Sequence, residues 1–134
     1  DKGVFILAMT SNEGAAEIQN NKNDTFPLYE RIIRIACELN RNDNIGLVVG
    51  ATNIESMTKI KEMSQGLSWL IPGVGSQGGD LYESISISNQ NGIGIINVSR
   101  GILYAGNGSM QDVMDAAKNY TEQIREITCN LMTC

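Results

Sequence analysis

The amino-acid sequence predicts an α/β protein in which four strands, each followed by a helix, make a parallel sheet. Three observations carry this prediction. Short apolar runs recur four times, at residues 4–9, 45–49, 67–71 and 94–98. The runs are apolar throughout rather than alternating, as strands covered on both faces are. Between and after them, apolar residues return at helical spacing.

Taken in order, residues 4–9 (VFILAM) join β-branched and aromatic side chains in a buried-strand pattern. Residues 10–25 are polar and rich in Gly and Asn, hence a loop. Pro27 suits the first turn of a helix, and Leu28, Ile32, Ile35, Ala36 and Leu39 form its apolar stripe. Residues 40–44 break that helix, and residues 45–49 (IGLVV) make the second strand, ended by Gly50. A helix follows over residues 54–63, with Thr52 or Asn53 as cap and Ile54, Met57, Thr58, Ile60 and Lys61 on neighbouring turns. The third strand (LSWLI) is stopped by Pro72, and a glycine-rich loop, 73–79, leads to a short helix over 80–88. The fourth strand is GIINV, residues 94–98. Ser109 with Asp112 three residues later is a capping-box pattern. Val113, Met114, Ala117, Ile124, Ile127 and Leu131 then give a long amphipathic helix.

The chain has 134 residues, the size of one domain spanning 1–134. An open four-stranded parallel sheet has two unpaired edges. A complete (β/α)8 barrel takes about 250 residues, so four βα units are about half of one. The alternative is a small doubly wound sheet, complete in itself. The chain runs from Asp1-Lys2-Gly3 straight into a strand, which reads as an excised or split piece.

Composition narrows the function. The 10 Lys and Arg against 15 Asp and Glu leave a net charge of −5. With no basic cluster, a nucleic-acid partner is not expected. Histidine is absent, which excludes Ser-His-Asp and Cys-His catalysis and removes the commonest metal ligand, so no metal is expected. Cys37, Cys129 and Cys134 show no CxxC spacing and read as reduced thiols. Four N-x-S/T sequons begin at Asn23, Asn97, Asn107 and Asn119. They carry little weight, because Asn97 reads as part of a buried strand and no signal peptide precedes them. No apolar run approaches ~18 residues, so no membrane span is expected.

Two loops could carry chemistry. The first, PGVGSQGGD at residues 72–80, contains Gly73-x-Gly75-x-x-Gly78 between a strand and a helix. That formally matches a dinucleotide fingerprint, whose glycines admit a pyrophosphate to backbone N–H groups. Against it, the next strand ends in Asn97, Val98 and Ser99 with no acidic residue. A tight left-handed turn without a ligand is the plainer reading, but so many glycines are costly to order without a use. The second loop is Asn97-Val98-Ser99-Arg100-Gly101. Arg100 is the only basic residue between Lys61 and Lys118. At a strand C-terminus its planar fork suits phosphate, with backbone N–H groups of Ser99, Arg100 and Gly101 beside it. A surface Arg or an internal ion pair is the alternative. If the chain is the second half of a barrel, these loops follow strands seven and eight, where barrels commonly hold phosphate.

GVFILAMTSNEG (residues 3–14), GLVVGAT (46–52), LIPGVGSQGGD (70–80) and IINVSRGILYA (95–105) together resemble the longer form of the orotidine 5′-monophosphate decarboxylase family. The resemblance covers nearly the whole chain in order. It implies a homodimeric, cytoplasmic (β/α)8 barrel without cofactor, acting in the last step of de novo uridylate synthesis. This chain would be its C-terminal half, strands five to eight. By position, Ser11 matches a hydrogen-bonding contact to the pyrimidine, and Pro72 an apolar contact beside the ring. Gln77, next to Gly78, matches a side chain linking the phosphate loop to the pyrimidine. Ser99, Arg100 and Gly101 match the phosphate grip. The loop at 73–79 would be a lid.

The departures are as informative. The family's Asp-x-Lys-x-x-Asp array, in which the Lys protonates the carbanion at C6, does not occur; Asp24, Asp43, Asp112 and Asp115 lack that spacing. Met9 stands where longer-form relatives often carry Lys, and Glu13 replaces a frequent Pro. The expected partners are therefore orotidine 5′-phosphate or UMP and the missing N-terminal half of the barrel, which would bring the catalytic groups. The rival is a non-catalytic half-barrel that self-associates to cover its edges.

Overall fold

The computed structural model describes all residues except 1, 13, 20, 22–25, 65, 91, 133 and 134, and the side chain of Ala16. Glu13, Asn23, Asp24 and Cys134 therefore lie outside the described residues. The elements are β1 (Val4–Met9), α1 (Ala15–Gln19), α2 (Leu28–Leu39), β2 (Ile45–Val49), α3 (Ile54–Met63), β3 (Ser68–Pro72), α4 (Leu81–Ser88), β4 (Gly94–Asn97), α5 (Arg100–Leu103) and α6 (Met110–Met132).

The four strands are parallel and lie in chain order, β1-β2-β3-β4. A doubly wound sheet reverses its order at a switch point, and this one does not. The pleat places Ile6, Leu47, Val49, Trp69, Ile71 and Ile96 on one face, where they pack with Ile33 and Ala36 of α2 and Met57 and Ile60 of α3. The opposite face carries the row Leu7–Val48–Leu70–Ile95. It is open: Phe5, Leu7 and Ile95 are 41%, 51% and 45% exposed. Apolar runs with no alternation thus correspond here to a sheet covered by helices on one face only.

Several expectations need correction. The loop over 10–25 contains α1, held by the Gln19 side chain, whose Oε1 accepts from the Thr10 N–H at 3.0 Å. The buried stripe of α2 is Tyr29, Ile33 and Ala36, whereas Ile35 and Leu39 are exposed. The apolar residues of the helix form one broad arc, of which the part carrying Tyr29, Ile33 and Ala36 is buried and the part carrying Ile35 and Leu39 is not. β3 starts one residue late and takes in Pro72; β4 ends at Asn97, before Val98. Asn97 is exposed, because β4 is an edge strand whose second face is open. Its sequon, like those at Asn107 and Asn119, starts on an exposed residue.

Of the two caps expected for α3, Asn53 forms, accepting from the Ser56 N–H at 2.9 Å. Asp80, expected inside the short helix, instead caps α4, accepting from the Glu83 N–H at 2.8 Å. At α6 the Asp112 N–H donates to Ser109 Oγ at 3.1 Å, and Asp112 Oδ2 accepts from the Ser109 N–H at 3.2 Å. The Ser109 hydroxyl, donating to Asp112 Oδ2 at 2.7 Å, and then the N–H groups of Asn107 and Ser109 hold the Asp112 carboxyl below the usual carboxylate range. Cys37 and Cys129 are free thiols.

Lys61, on α3, is the one charged side chain among the buried residues described. Its Nζ donates to the carbonyl of Ser88 at the end of α4, at 2.6 Å, and lies 5.1 Å from the Trp69 ring centroid. A cation there complements the last turn of α4. Burial holds the amine below its ordinary value of 10.5. As pH rises from the folded pKa toward 10.5, the unfolded chain keeps a proton the folded chain has released, so this group adds stability. Tyr29 and Cys37, both raised chiefly by burial, act in the opposite sense. The native chain minus Lys61→Met is therefore the informative comparison. That stability difference, from urea midpoints, is expected to rise with pH through the window below 10.5; a flat difference contradicts the assignment.

Candidate functional site

The site candidates gather at the C-terminal ends of the strands, the end at which parallel α/β folds bind ligands. Ser11 follows β1 and turns across the sheet. Its hydroxyl donates to the carbonyl of Pro72 at 3.4 Å. The Gly50 N–H donates to Met9 O at 2.8 Å and the Ala51 N–H to Pro72 O at 2.9 Å, so the ends of β1, β2 and β3 are tied together. A Cβ on Gly50 would meet Ser11 Oγ at 2.5 Å, and one on Gly73 would meet it at 2.6 Å and Gln77 Oε1 at 3.1 Å. The structure thus brings Ser11, Pro72 and Gln77 into one cluster around two glycines. Gly50 is a member that sequence reasoning did not single out, although it ends GLVVG.

The loop after β3 closes on itself. Gly73, Gly75 and Gly78 have φ of +96°, +73° and +85°, conformations costly for any other residue. The Gly75 N–H donates to Gly79 O at 3.0 Å, Gly78 to Gly75 O at 2.8 Å and Gly79 to Gly73 O at 3.1 Å. Residues 75–78 form an exposed tip above the buried pair Val74 and Gly79. The loop that would be a lid is in the structure a stitched turn, its glycines supplying the angles that the internal hydrogen bonds require.

The second loop leaves from beside the first, since Pro72 and Asn97 are paired in the β3–β4 register. What reads as loop at Arg100 and Gly101 is the start of α5. Ser99 precedes it, its hydroxyl 3.5 Å from Asn97 Oδ1 and making no capping bond. Among the described residues, the N–H groups of Ser99, Arg100 and Gly101 have no acceptor, and the exposed Arg100 side chain has no partner. The internal ion pair weighed for Arg100 is therefore not formed among these residues. Free donors beside an unpaired guanidinium are suited to an anion with several oxygens.

Met9 is 7% exposed and packed in the core, so the position where relatives often carry Lys is here an apolar one. No group of three or more His, Cys, Asp and Glu able to hold a metal occurs among the described residues. No helix among them is long and apolar enough to cross a membrane. A groove of about 390 Å³ between α2 and α3, lined by Arg34, Cys37, Glu38, Glu62 and Met63, lies on the outer helices and takes in none of the strand-end residues.

Comparison with known proteins agrees with this geometry. The family model for Orotidine 5′-phosphate decarboxylase / HUMPS matches residues 1–111. An orotidine 5′-phosphate decarboxylase of Dehalococcoides mccartyi is 45% identical over 132 residues, covering 94% of this chain and 48% of that protein. One from Haloarcula marismortui is 43% identical over 107 residues, 79% of this chain and 39% of that protein. The chain spans about half the length of these relatives or less. Among solved structures, an orotidine-monophosphate decarboxylase from Toxoplasma gondii aligns with a TM-score of 0.83 at 32% identity, covering 99% of this chain and 52% of that one. Leishmania donovani UMP synthase aligns at 0.82 and 37% identity, covering 95% and 28%. Consecutive parallel strands, the two loops and a match over residues 1–111 agree: this chain belongs to the orotidine 5′-phosphate decarboxylase / HUMPS family.

Proposed function

We propose that this chain forms the phosphate- and pyrimidine-gripping part of an orotidine 5′-phosphate decarboxylase, which converts orotidine 5′-phosphate to UMP and CO2. One observation carries the reading. Two loops start at register-paired residues, one shaped by left-handed glycines and the other presenting Arg100 with free N–H groups. That pairing suits a phosphate monoester, with Ser11, Pro72 and Gln77 placed toward the base. Here Ser99, Arg100 and Gly101 hold the phosphate, and Gly78 lets the first loop turn beside it.

The four βα units are then strands five to eight of a (β/α)8 barrel, all of 1–134 belonging to that one domain. The open face with Phe5, Leu7 and Ile95, and the unpaired edges of β1 and β4, support completion by four further units from outside these residues. Those units would bring the Asp-x-Lys-x-x-Asp array. Phosphate binding here would supply energy used at the reacting carbon, since remote binding energy can be spent on the chemical step. The reaction needs no cofactor, and the reading places a homodimer of such barrels in the cytoplasm.

The test is nucleotide selectivity of the purified chain. UMP is expected to bind more tightly than uridine and than a nicotinamide dinucleotide. Tighter binding of the dinucleotide would return the Gly73–Gly78 signature to its other meaning. Replacing Gln77 by Ala is expected to cost only ~0.5–1.5 kcal/mol of UMP affinity, the size of a neutral hydrogen bond. Titration calorimetry measures it, and a loss as large as that of a charged contact would give Gln77 a different role.

A further inference from the structure

The two loops meet at a residue from a third element. Tyr120 lies in the middle of α6, the helix that packs against α4 and α5. A Cβ built on Gly75 would come within 2.7 Å of Tyr120 Oη. One built on Gly101 would come within 2.9 Å of the same atom, and within 3.4 Å of Cε2. The hydroxyl thus fills the space above both glycines, one in each loop. Gly75 needs its glycine for a φ of +73° in any case. Gly101 does not: it is a helical residue of α5, so the room it leaves is room for Tyr120 and for Val98 Cγ1 at 3.2 Å. The Tyr120 ring is half-buried, and its hydroxyl has no hydrogen-bond partner among the described residues. It serves as a spacer rather than as part of a polar network.

We propose that Tyr120 is a positioning residue for phosphate binding, its hydroxyl wedged between Gly75 and Gly101 and setting the separation of the two loops. The proposal rests on the phosphate reading of those loops. Tyr120 acts through the backbone it supports, so its loss affects ligands with a phosphate and spares those without one.

The experiment measures UMP and uridine binding to the wild-type chain, Tyr120→Phe and Tyr120→Ala by titration calorimetry, with thermal melts of each. Tyr120→Ala is expected to weaken UMP about tenfold and leave uridine unchanged, the scale of effect that loose positioning of a binding group produces. Tyr120→Phe, which keeps the ring and the fold, is expected to fall between the two. In melts, Gly101→Ala is expected to destabilise the wild type and to cost clearly less in Tyr120→Ala, where the wedge is gone and only the Val98 contact remains. Equal losses of UMP and uridine would make Tyr120 a general support of the fold and overturn the proposal. A UMP affinity unchanged by both substitutions would overturn it too. A wild-type chain with no preference for UMP over uridine would instead sink the phosphate reading, and the Gly101–Tyr120 coupling would then decide the wedge alone.

Discussion

Replacing Arg100 by Ala is expected to weaken UMP binding by about 2–4 kcal/mol, a roughly 30- to 700-fold rise in Kd. Among the described residues the guanidinium is the one cationic side chain at the C-terminal ends of the strands, and it has no protein partner to satisfy in place of a ligand. Its loss therefore removes a contact without freeing a buried carboxylate. A planar fork can hold two phosphate oxygens at once, so Arg100→Lys is expected to recover only part of the affinity. Uridine affinity should not change. Titration calorimetry on both ligands measures the pair, and an Arg100→Ala variant that keeps full UMP affinity would show that the anion sits elsewhere.

The largest stability effect is expected at Trp69. It lies on β3, between two paired strands, and is 0% exposed. Truncation to Ala is expected to cost about 3–5 kcal/mol, the range for a buried aromatic. That is a large part of the ~5–15 kcal/mol that holds a typical domain together. Among the described residues the indole Nε1 has no acceptor, and Lys61 sits 5.1 Å from the ring centroid. Trp69→Phe keeps an aromatic face for the ammonium and discards the unpaired donor, so it should cost clearly less. Urea midpoints for both variants test this ordering; equal costs would mean that volume alone matters at this position.

How much of this could be seen in the residues differs between elements. The strands were legible because each is a contiguous apolar run bounded by Gly, Pro or Asn. The cap of α6 was legible because Ser109 and Asp112 make a local arrangement that needs no tertiary contact. The two loops were legible because left-handed glycines and a lone Arg are rare enough to stand out. The α2 stripe was not, since Ile35 and Leu39 fit a helical period as well as Ile33 and Ala36, and only packing selects a flank. The helix α1 escaped notice because its five residues lack a periodic signal. Asn97 read as buried because apolar runs do not reveal whether a strand has a neighbour on each side. Tyr120 could not be read as a site residue, because its place depends on where α6 passes over loops 45 and 19 residues earlier in the chain.

The central claim is that these residues grip the substrate while the catalytic array lies outside them. Decarboxylation of orotidine 5′-phosphate by the purified 134-residue chain tests it most directly, alone and combined with a barrel half that carries Asp-x-Lys-x-x-Asp. No turnover by the chain alone, and turnover in the combination that falls with Arg100→Ala, is the predicted result. Turnover by the chain alone would contradict the account.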